Sequence, residues 1–525
     1  MRYALLVFIA LPFNLIGQQV DWLVAEPVGW ELNPAFSSHH LSRSASGDLW
    51  SARQDEAALN YSISIFGTIA LEHIDPTDGE VLHQCMLGDS VLVDAVTTGD
   101  DGTFYVGGRF MNTLNICNGS TLSVIENGPF EHNMFLLAID VAGNVLWVKN
   151  KTLDHPGQDE IQALSVDPTG ILWYATSDFF AAEITMVDDE GNDVTSWPIA
   201  NGKVIGGMDH DPAGGLFVSG ATGSGSDLVF GGMSIPVTET YAMFVLRFQQ
   251  DGTGHWAKLA HDETFQSPMI VCDGAGSAYM AGGLIDETDF DQVHFDGPAW
   301  GEMLFLLKLD NAGNILWGLQ PEMAPGTFGD IARADNATIA LNNNSVLLTG
   351  TVRGQMNWND NVNSNSTATT ERTQTIVSIS FDGVPQWAIT GQPSQSFISS
   401  QAIAAGNDGS VHFAAHTNSS YAMAPHVIPP GDQQWVLGRI GGISTSIDDV
   451  VERSDVSIWP NPASDQLWMA APGIMGEAVV LLDAAGRSVL TTNVTGLPQM
   501  LDLQGIRAGT YIVQAGTSRT RIVKH

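Results

Sequence analysis

An internal repeat constrains this chain more than any other feature. Seven times the sequence writes a tight turn followed by a short strand of aromatic, apolar and small residues. The copies are Gly47–Trp50, Gly102–Tyr105, Gly170–Trp173, Gly215–Phe217, Gly276–Tyr279, Asn344–Leu347 and Gly409–Phe413. Successive anchors lie about 60 residues apart on average, so each repeat has room for four strands and their loops.

A second unit alternates with the first. It is an apolar strand, a polar turn with glycine, and a strand that usually carries tryptophan. Clear copies are Phe135–Asp140 with Gly143 and Trp147, and Phe305–Asp310 with Gly313 and Trp317. Phe244–Phe248 with Gly252 and Trp256, and Ile376–Phe381 with Gly383 and Trp387, repeat the pattern. Gly191 with Trp197 is weaker, and Ile74-Asp75 with Gly79 lacks the tryptophan. Asp-x-x-Gly and Asp-Gly fit a hairpin turn that needs one residue at positive φ. Two hairpins make a four-stranded sheet, which must stack on its neighbours to bury its faces. The chain therefore reads as all-β, a β-propeller with seven blades. Six or eight stay open because the first blade is degenerate. The last second-unit, Gln434–Ile440, lacks a final strand, and Val20–Val24 with Trp22 can supply it from the other end of the chain.

These repeats resemble secreted bacterial β-propeller repeats, in which a turn-Gly-aromatic strand precedes an F-L-x-K-L-D-x-x-G-x-x-x-W unit. The resemblance covers about residues 20–441 and implies architecture, not ligand, because propellers host enzymes, binders and scaffolds.

Arg2 followed by the apolar run Ala4 to Ile16 and a small residue, Gly17, reads as a secretory signal peptide over residues 1–17. The run is too short for a spanning helix, and no later stretch reaches that length. A buried N-terminal strand is the alternative. The 20 basic and 58 acidic side chains leave a net charge of −38. Such a chain repels phosphate backbones and anionic membranes, which excludes a nucleic-acid partner. Cys85, Cys117 and Cys272 cannot all pair. A Cys85–Cys117 bridge is open, and three buried thiols on strands is the favoured reading.

After the propeller region, residues 18–441, composition changes. Residues 442–454 read as a polar, acidic linker, and 455–525 as a separate small domain. Its five acids and five bases cancel, so the negative charge lies elsewhere. Its six or so short strands suit a small immunoglobulin-like β-sandwich. Trp459 leads into Pro460, Asn461 and Pro462. Asp483 is followed by Gly486 and Arg487, Leu503 by Gly509 and Tyr511, and the end is basic through Lys524. In this order the pieces resemble the type A C-terminal sorting domain (the Por secretion tail) of the type IX secretion system of Bacteroidota. His525 after the usual terminal lysine departs from the pattern. The resemblance implies the secretion machinery as partner, export across both membranes, and release or attachment at the outer surface. An ordinary immunoglobulin-like domain is the alternative.

No zinc spacing, nucleophile elbow, phosphate loop or EF-hand occurs in the sequence. Asp286, Asp289 and Asp291 could hold calcium on one loop, or form a solvated hairpin edge. No other cofactor is expected. His210, between Asp209 and Asp211, could act as a base, but Asp211 also belongs to a repeat turn like that at Asp167. His39, His40 and His83 have no evident partner. The periodic tryptophans read as core, whereas Trp300 and Trp358 are loop aromatics able to stack on a sugar. The segment from Asn357 to Thr373 reads as an elaborated surface loop. The expected function is binding or scaffolding of an extracellular glycan or protein. A structural or adhesive envelope component, or a hydrolase or lyase with a loop-built site, are the alternatives; the question of catalysis leans to no.

Overall fold

The computed structural model describes residues 18–27, 39–61, 64–124, 132–151, 160–178, 180–262, 268–297, 302–323, 328–330, 339–365, 372–393, 398–418, 420–429 and 433–441, then 457–459, 463–470, 478–483, 487–495, 498–515 and 518–525. The signal segment 1–17 and the linker 442–454 lie outside the described residues. Every regular element described is a strand. The chain divides into two compact units, one ending at Ile443 and one beginning at Ser444.

The first unit holds seven four-stranded antiparallel blades. Blade 1 is His39–Arg43, Leu49–Tyr61, Ser64–Ile74 and the first half of Val81–Thr98. That last strand runs for 18 residues, and its second half is the inner strand of blade 2. Blade 2 continues with Phe104–Met111, His132–Ile139 and Val145–Lys151. Blades 3, 4 and 5 begin at Glu160–Val166, Gly202–His210 and Met269–Cys272. Blade 6 is built around Ser345–Arg353 and Thr373–Ser380. Blade 7 takes Ile398–Ala405, Val411–Thr417 and Gln434–Ile440 from one region and Val20–Pro27 from the other. Each innermost strand touches the next, and that of blade 7 touches that of blade 1, so the ring closes. Seven blades and the N-terminal closing strand are thus both present.

The repeat residues explain the local geometry. Turn glycines from both units, among them Gly102, Gly143, Gly170, Gly313 and Gly409, take φ between +79° and +89°. The aspartate at the head of the turn accepts backbone N–H groups, as Asp140 does from Ala142 at 3.0 Å and Asn144 at 2.8 Å. Hydrogen bonds from Asn144 and Thr77 hold the carboxyls of Asp140 and Asp75 below the usual carboxylate range. Third strands are packed on both faces and read as continuous apolar runs; every residue of His132–Ile139 is buried.

The outer-strand tryptophans have a specific partner. A Cβ placed on Gly313 would sit 2.8 Å from Trp256 Cδ2, one on Gly383 2.9 Å from Trp317 Cδ2, and one on Gly191 2.6 Å from Trp147 Cε3. Trp197 meets Gly252 and Trp22 meets Gly79 in the same way. Each indole thus lies on the third-to-fourth-strand turn of the following blade. Trp256 and Trp317 also donate Nε1–H to the carbonyls of Asn311 and Phe381, two residues before that glycine, at 2.9 and 3.2 Å. His83 occupies the corresponding place in blade 1, against Gly143. This predicts unequal costs for two glycines of the same turn type. Gly170 (φ +89°) has nothing within 4 Å of a built Cβ, so Gly170→Ala should cost about 1 kcal/mol, the backbone term alone. Gly313→Ala should cost about 2–4 kcal/mol, because the indole must move as well. Denaturant melts of the two variants check this; equal costs would refute the contact.

Buried arginines stitch blades together. Arg109 grips Asp94 through Nε and Nη2 at 2.9 and 2.7 Å and also pairs with Glu160 of blade 3. Arg53 does the same with Glu72 and reaches Glu26 of the closing strand.

Between the second and third strands, blades 2, 4, 5, 6 and 7 each insert a small hairpin: Thr113–Asn115 with Thr121–Ser123, Leu228–Phe230 with Met233–Ile235, Thr288–Phe290 with Val293–Phe295, Gln355–Asn357 with Asn363–Asn365, and Tyr421–Met423 with His426–Ile428. Antiparallel order puts all five at the end of the ring opposite the glycine turns. Four of them pair with chain at the edge of the preceding blade: Asn115 with Gly88, Phe230 with Ile199, Asn357 with Glu322, and Ala422 with Gln392. The segment after Asn357, expected as a surface loop, is therefore in part a paired strand. Cys85 and Cys117 are bonded, joining blade 1 to the hairpin region of blade 2. The favoured reading of three free thiols is thus corrected. Only Cys272 is free. The hairpin brings Cys117 back to a strand distant in sequence, which spacing alone does not show.

The second unit packs Ser457–Trp459, Gln466–Ala470 and Gln499–Asp502 as one sheet and Ala478–Leu482, Ser488–Asn493, Gly509–Ala515 and Ser518–Lys524 as another. Leu467, Leu481, Leu501, Val513 and Ile522 fill the core between them, the expected sandwich.

Candidate functional site

The Asp209-His210-Asp211 segment, a candidate for base catalysis, is divided among structural tasks. His210 Nδ1 lies 2.9 Å from Ser165 Oγ of blade 3, and burial pushes its pKa down to about 4. Asp209 accepts the backbone N–H of Cys272 in blade 5 at 2.7 Å, and burial raises it to about 6. Asp211 pairs with Arg247 and accepts Asn311 Nδ2 at 2.8 Å. His39 and His40 are buried, against Ser51 Oγ at 2.8 Å and the Val93 carbonyl at 3.1 Å.

The three candidate calcium carboxylates go to separate partners. Asp289 Oδ1 lies 2.8 Å from His294 Nδ1, and this contact raises the imidazole pKa. Asp291 pairs with Lys258 of blade 4 at 2.6 Å, and Asp286 accepts the Glu287 N–H at 2.8 Å. Among the described residues no group of three or more His, Cys, Asp or Glu side chains converges as a metal site.

Trp300 lies outside the described residues. Trp358 is only 4% exposed, and its Nε1–H donates to Ser364 Oγ at 3.0 Å. Its ring belongs to the core and is not a stacking platform, which corrects the loop-aromatic expectation. The same segment nevertheless borders a cleft of about 510 Å³, lined by Gln320, Glu322, Gln355, Asn357, Asn359, Asp360 and Asn363 together with the little-exposed Trp358. Sequence reading missed this feature. The signal was four asparagines and a glutamine at alternate positions over 355–363, which looked like loop composition.

The sorting residues come together at the start and end of the second unit. Gly509 pairs with Lys524, and Tyr511 with Ile522, across adjacent strands. Tyr511 donates its hydroxyl to the Arg507 carbonyl at 2.7 Å. Lys524 is buried, with Nζ on Asp465 Oδ1 at 3.2 Å and on the His525 carbonyl at 2.9 Å. Ala463 N–H bonds the Val523 carbonyl at 2.7 Å, and His525 N–H bonds the Ala463 carbonyl at 2.9 Å. The chain end is thereby clipped to the residue that follows the Pro-Asn-Pro motif. Asp483 and Arg487 are joined separately, by a 2.7 Å ion pair, by the Asp483 N–H on the Arg487 carbonyl at 2.9 Å and by the Arg487 N–H on Asp483 Oδ1 at 3.0 Å. Pro460, Asn461, Pro462 and Gly486 lie outside the described residues.

Comparison with known proteins adds to this geometry. No curated protein matches the chain. Among solved structures, a catalytically inactive virginiamycin B lyase from Staphylococcus aureus with quinupristin is similar at TM-score 0.40 and 10% identity, over 79% of this chain and 99% of that one. The Dos1 propeller is similar at 0.38 and 8%, over 79% and 95%. The dihydro-heme d1 dehydrogenase NirN is similar at 0.36 and 10%, over 78% and 76%. At these scores the propeller assignment rests on the blades described above. No helix among the described residues is long and apolar enough to cross a membrane. Residues 457–525 match the family described as Secretion system C-terminal sorting domain. The chain is a β-propeller that carries this sorting domain at its C-terminal end, and the domain marks it for type IX secretion to the cell surface or the extracellular space.

Proposed function

We propose that the exported propeller is a binding module for an extracellular glycan or protein. The observation that carries this reading is the set of hairpins at one end of the ring. Their inward residues are buried and mostly apolar, such as Leu228, Phe230, Phe290, Met356, Tyr421 and Met423. Their outward residues differ from blade to blade: Val229 and Ser234, Asp289 and His294, Asn357 and Asn363, Ala422 and Val427. One scaffold position repeated with changing chemistry suits a recognition surface held on a rigid frame.

The test is thermal unfolding of the protein from residue 18 onward with a panel of polysaccharides, and separately with calcium. A ligand that binds only the folded state, at about 100 times its Kd, adds about 2.7 kcal/mol and raises Tm. A shift with a glycan supports the module. A shift with calcium alone directs attention to Asp286, Asp289 and Asp291 as a metal site. No shift with any of them favours a structural role in the envelope.

A further inference from the structure

Blade 6 differs from its sister hairpins in the face it shows to solvent. Glu322 stands opposite Asn357, and Asn357 opposite Asn363, so the three form one row across three strands. Residues directly opposite in an antiparallel sheet share a face, and so does Gln355, two positions before Asn357. Met356 and Ser364 alternate to the other face and are fully buried. The outward face is therefore a small platform of amides and a carboxylate, floored by core and opening into the 510 Å³ cleft.

Asparagine is a poor strand residue, because its side chain competes for backbone hydrogen bonds and packs weakly on a pleated surface. The hairpins of blades 4 and 7 follow the ordinary pattern, with Val229 and Val427 on the outward face, while blade 5 shows Asp289 and His294 there. In blade 6 the departure runs across three strands as a row of amides and a carboxylate, and a local rule broken in this way is the expected mark of a functional surface. The amides are also held in place. Gln355 Nε2 donates to Asn357 Oδ1 at 2.8 Å, and Gln320 Oε1 accepts the Asp296 N–H at 3.0 Å. Their orientations are set before a ligand arrives, which lowers the entropy lost on binding.

The lining chemistry selects a ligand. Amides donate and accept side by side, as vicinal hydroxyls do, and the carboxylates of Glu322 and Asp360 accept from hydroxyls. Among the described residues no lysine or arginine lines the cleft, so sulfate, phosphate and uronate groups would meet uncompensated negative charge. We infer that the blade 6 cleft binds an uncharged sugar unit of an oligosaccharide through its hydroxyl groups. This rests on the binding-module reading and chooses glycan over protein.

Calorimetric titration of the protein from residue 18 tests it. The probes are neutral β-glucan, mannan and chitin oligosaccharides, with heparin and alginate as anionic comparators. The protein should bind at least one neutral probe and neither comparator. Asn357→Ala and Gln355→Ala should each weaken that binding by about tenfold or more, with unchanged Tm, because a site built on hydroxyl hydrogen bonds loses that much per group. Val427→Ala, in the blade 7 hairpin, should bind like the parent. Equal binding by parent, Asn357→Ala and Gln355→Ala would overturn the cleft and leave the module reading standing. Binding of the anionic comparators only, or of no neutral probe, would also overturn the cleft; the thermal panel then decides the module reading separately.

Discussion

Deletion of Val20–Pro27 is expected to cost the propeller its cooperative thermal transition. This segment is the outer strand of blade 7 and pairs with Gln434–Ile440 over seven residue pairs. Its loss removes that ladder, leaves a bare edge strand, and takes away Trp22 from Gly79. It also removes Glu26 from the buried Arg53 and Asp21 from Arg439, which it meets at 2.7 Å. Ladder hydrogen bonds at about 1 kcal/mol each, with the lost ion pairs, amount to roughly 5 kcal/mol or more. Circular dichroism melts and gel filtration should show a broad, early transition and self-association through the exposed edge. An added peptide of residues 18–27 should restore much of the lost Tm. A truncated chain that melts like the parent would disprove ring closure by this strand.

Truncation after Ile443 should do the reverse. The second unit has its own core of Leu467, Leu481, Leu501, Val513 and Ile522, and the break between units falls at Ser444. The propeller should keep its Tm within about a degree, since mutations outside a cooperative unit do not add to its stability. Export should be lost, with the protein retained inside the cell envelope instead of reaching the surface or medium. Fractionation followed by immunoblotting reads this. Undiminished surface delivery of the truncated protein would remove the sorting role from residues 457–525.

Much of this architecture was legible in the sequence. Glycine and aspartate at fixed offsets mark turns that require positive φ, so Gly102, Gly170 and Gly409 located first-to-second-strand turns directly. The tryptophans were readable as core by their period. What they pack against was not, because Gly313 and Trp256 belong to different blades. Blade 1 looked degenerate because His83 replaces the indole and Val81–Thr98 serves two blades without a break. The inserted hairpins were hidden because strands of three residues carry no readable period. The Cys85–Cys117 bond and the burial of Trp358 were hidden with them, since both depend on where those hairpins fold back. The amide row in blade 6 is the extreme case. Its partners Glu322, Asn357 and Asn363 meet only once the sheet forms, and asparagine composition alone points to a loop. In the second unit the motif order was readable, but the clip between Ala463 and His525 was not.

The pairing of Val20–Pro27 with Gln434–Ile440 has a temporal meaning as well. The first strand to be synthesised has its partner more than 400 residues later, so its contact is among the longest-range in the chain. During synthesis from the N-terminus, blades 1 to 6 can each acquire all their strands in order, while blade 7 waits for its last one. Until then the ring is an open arc whose terminal blade faces are unpacked, with Val20–Pro27 unpaired. Closure is therefore the late step, limited by the entropy of bringing together strands so far apart in the chain.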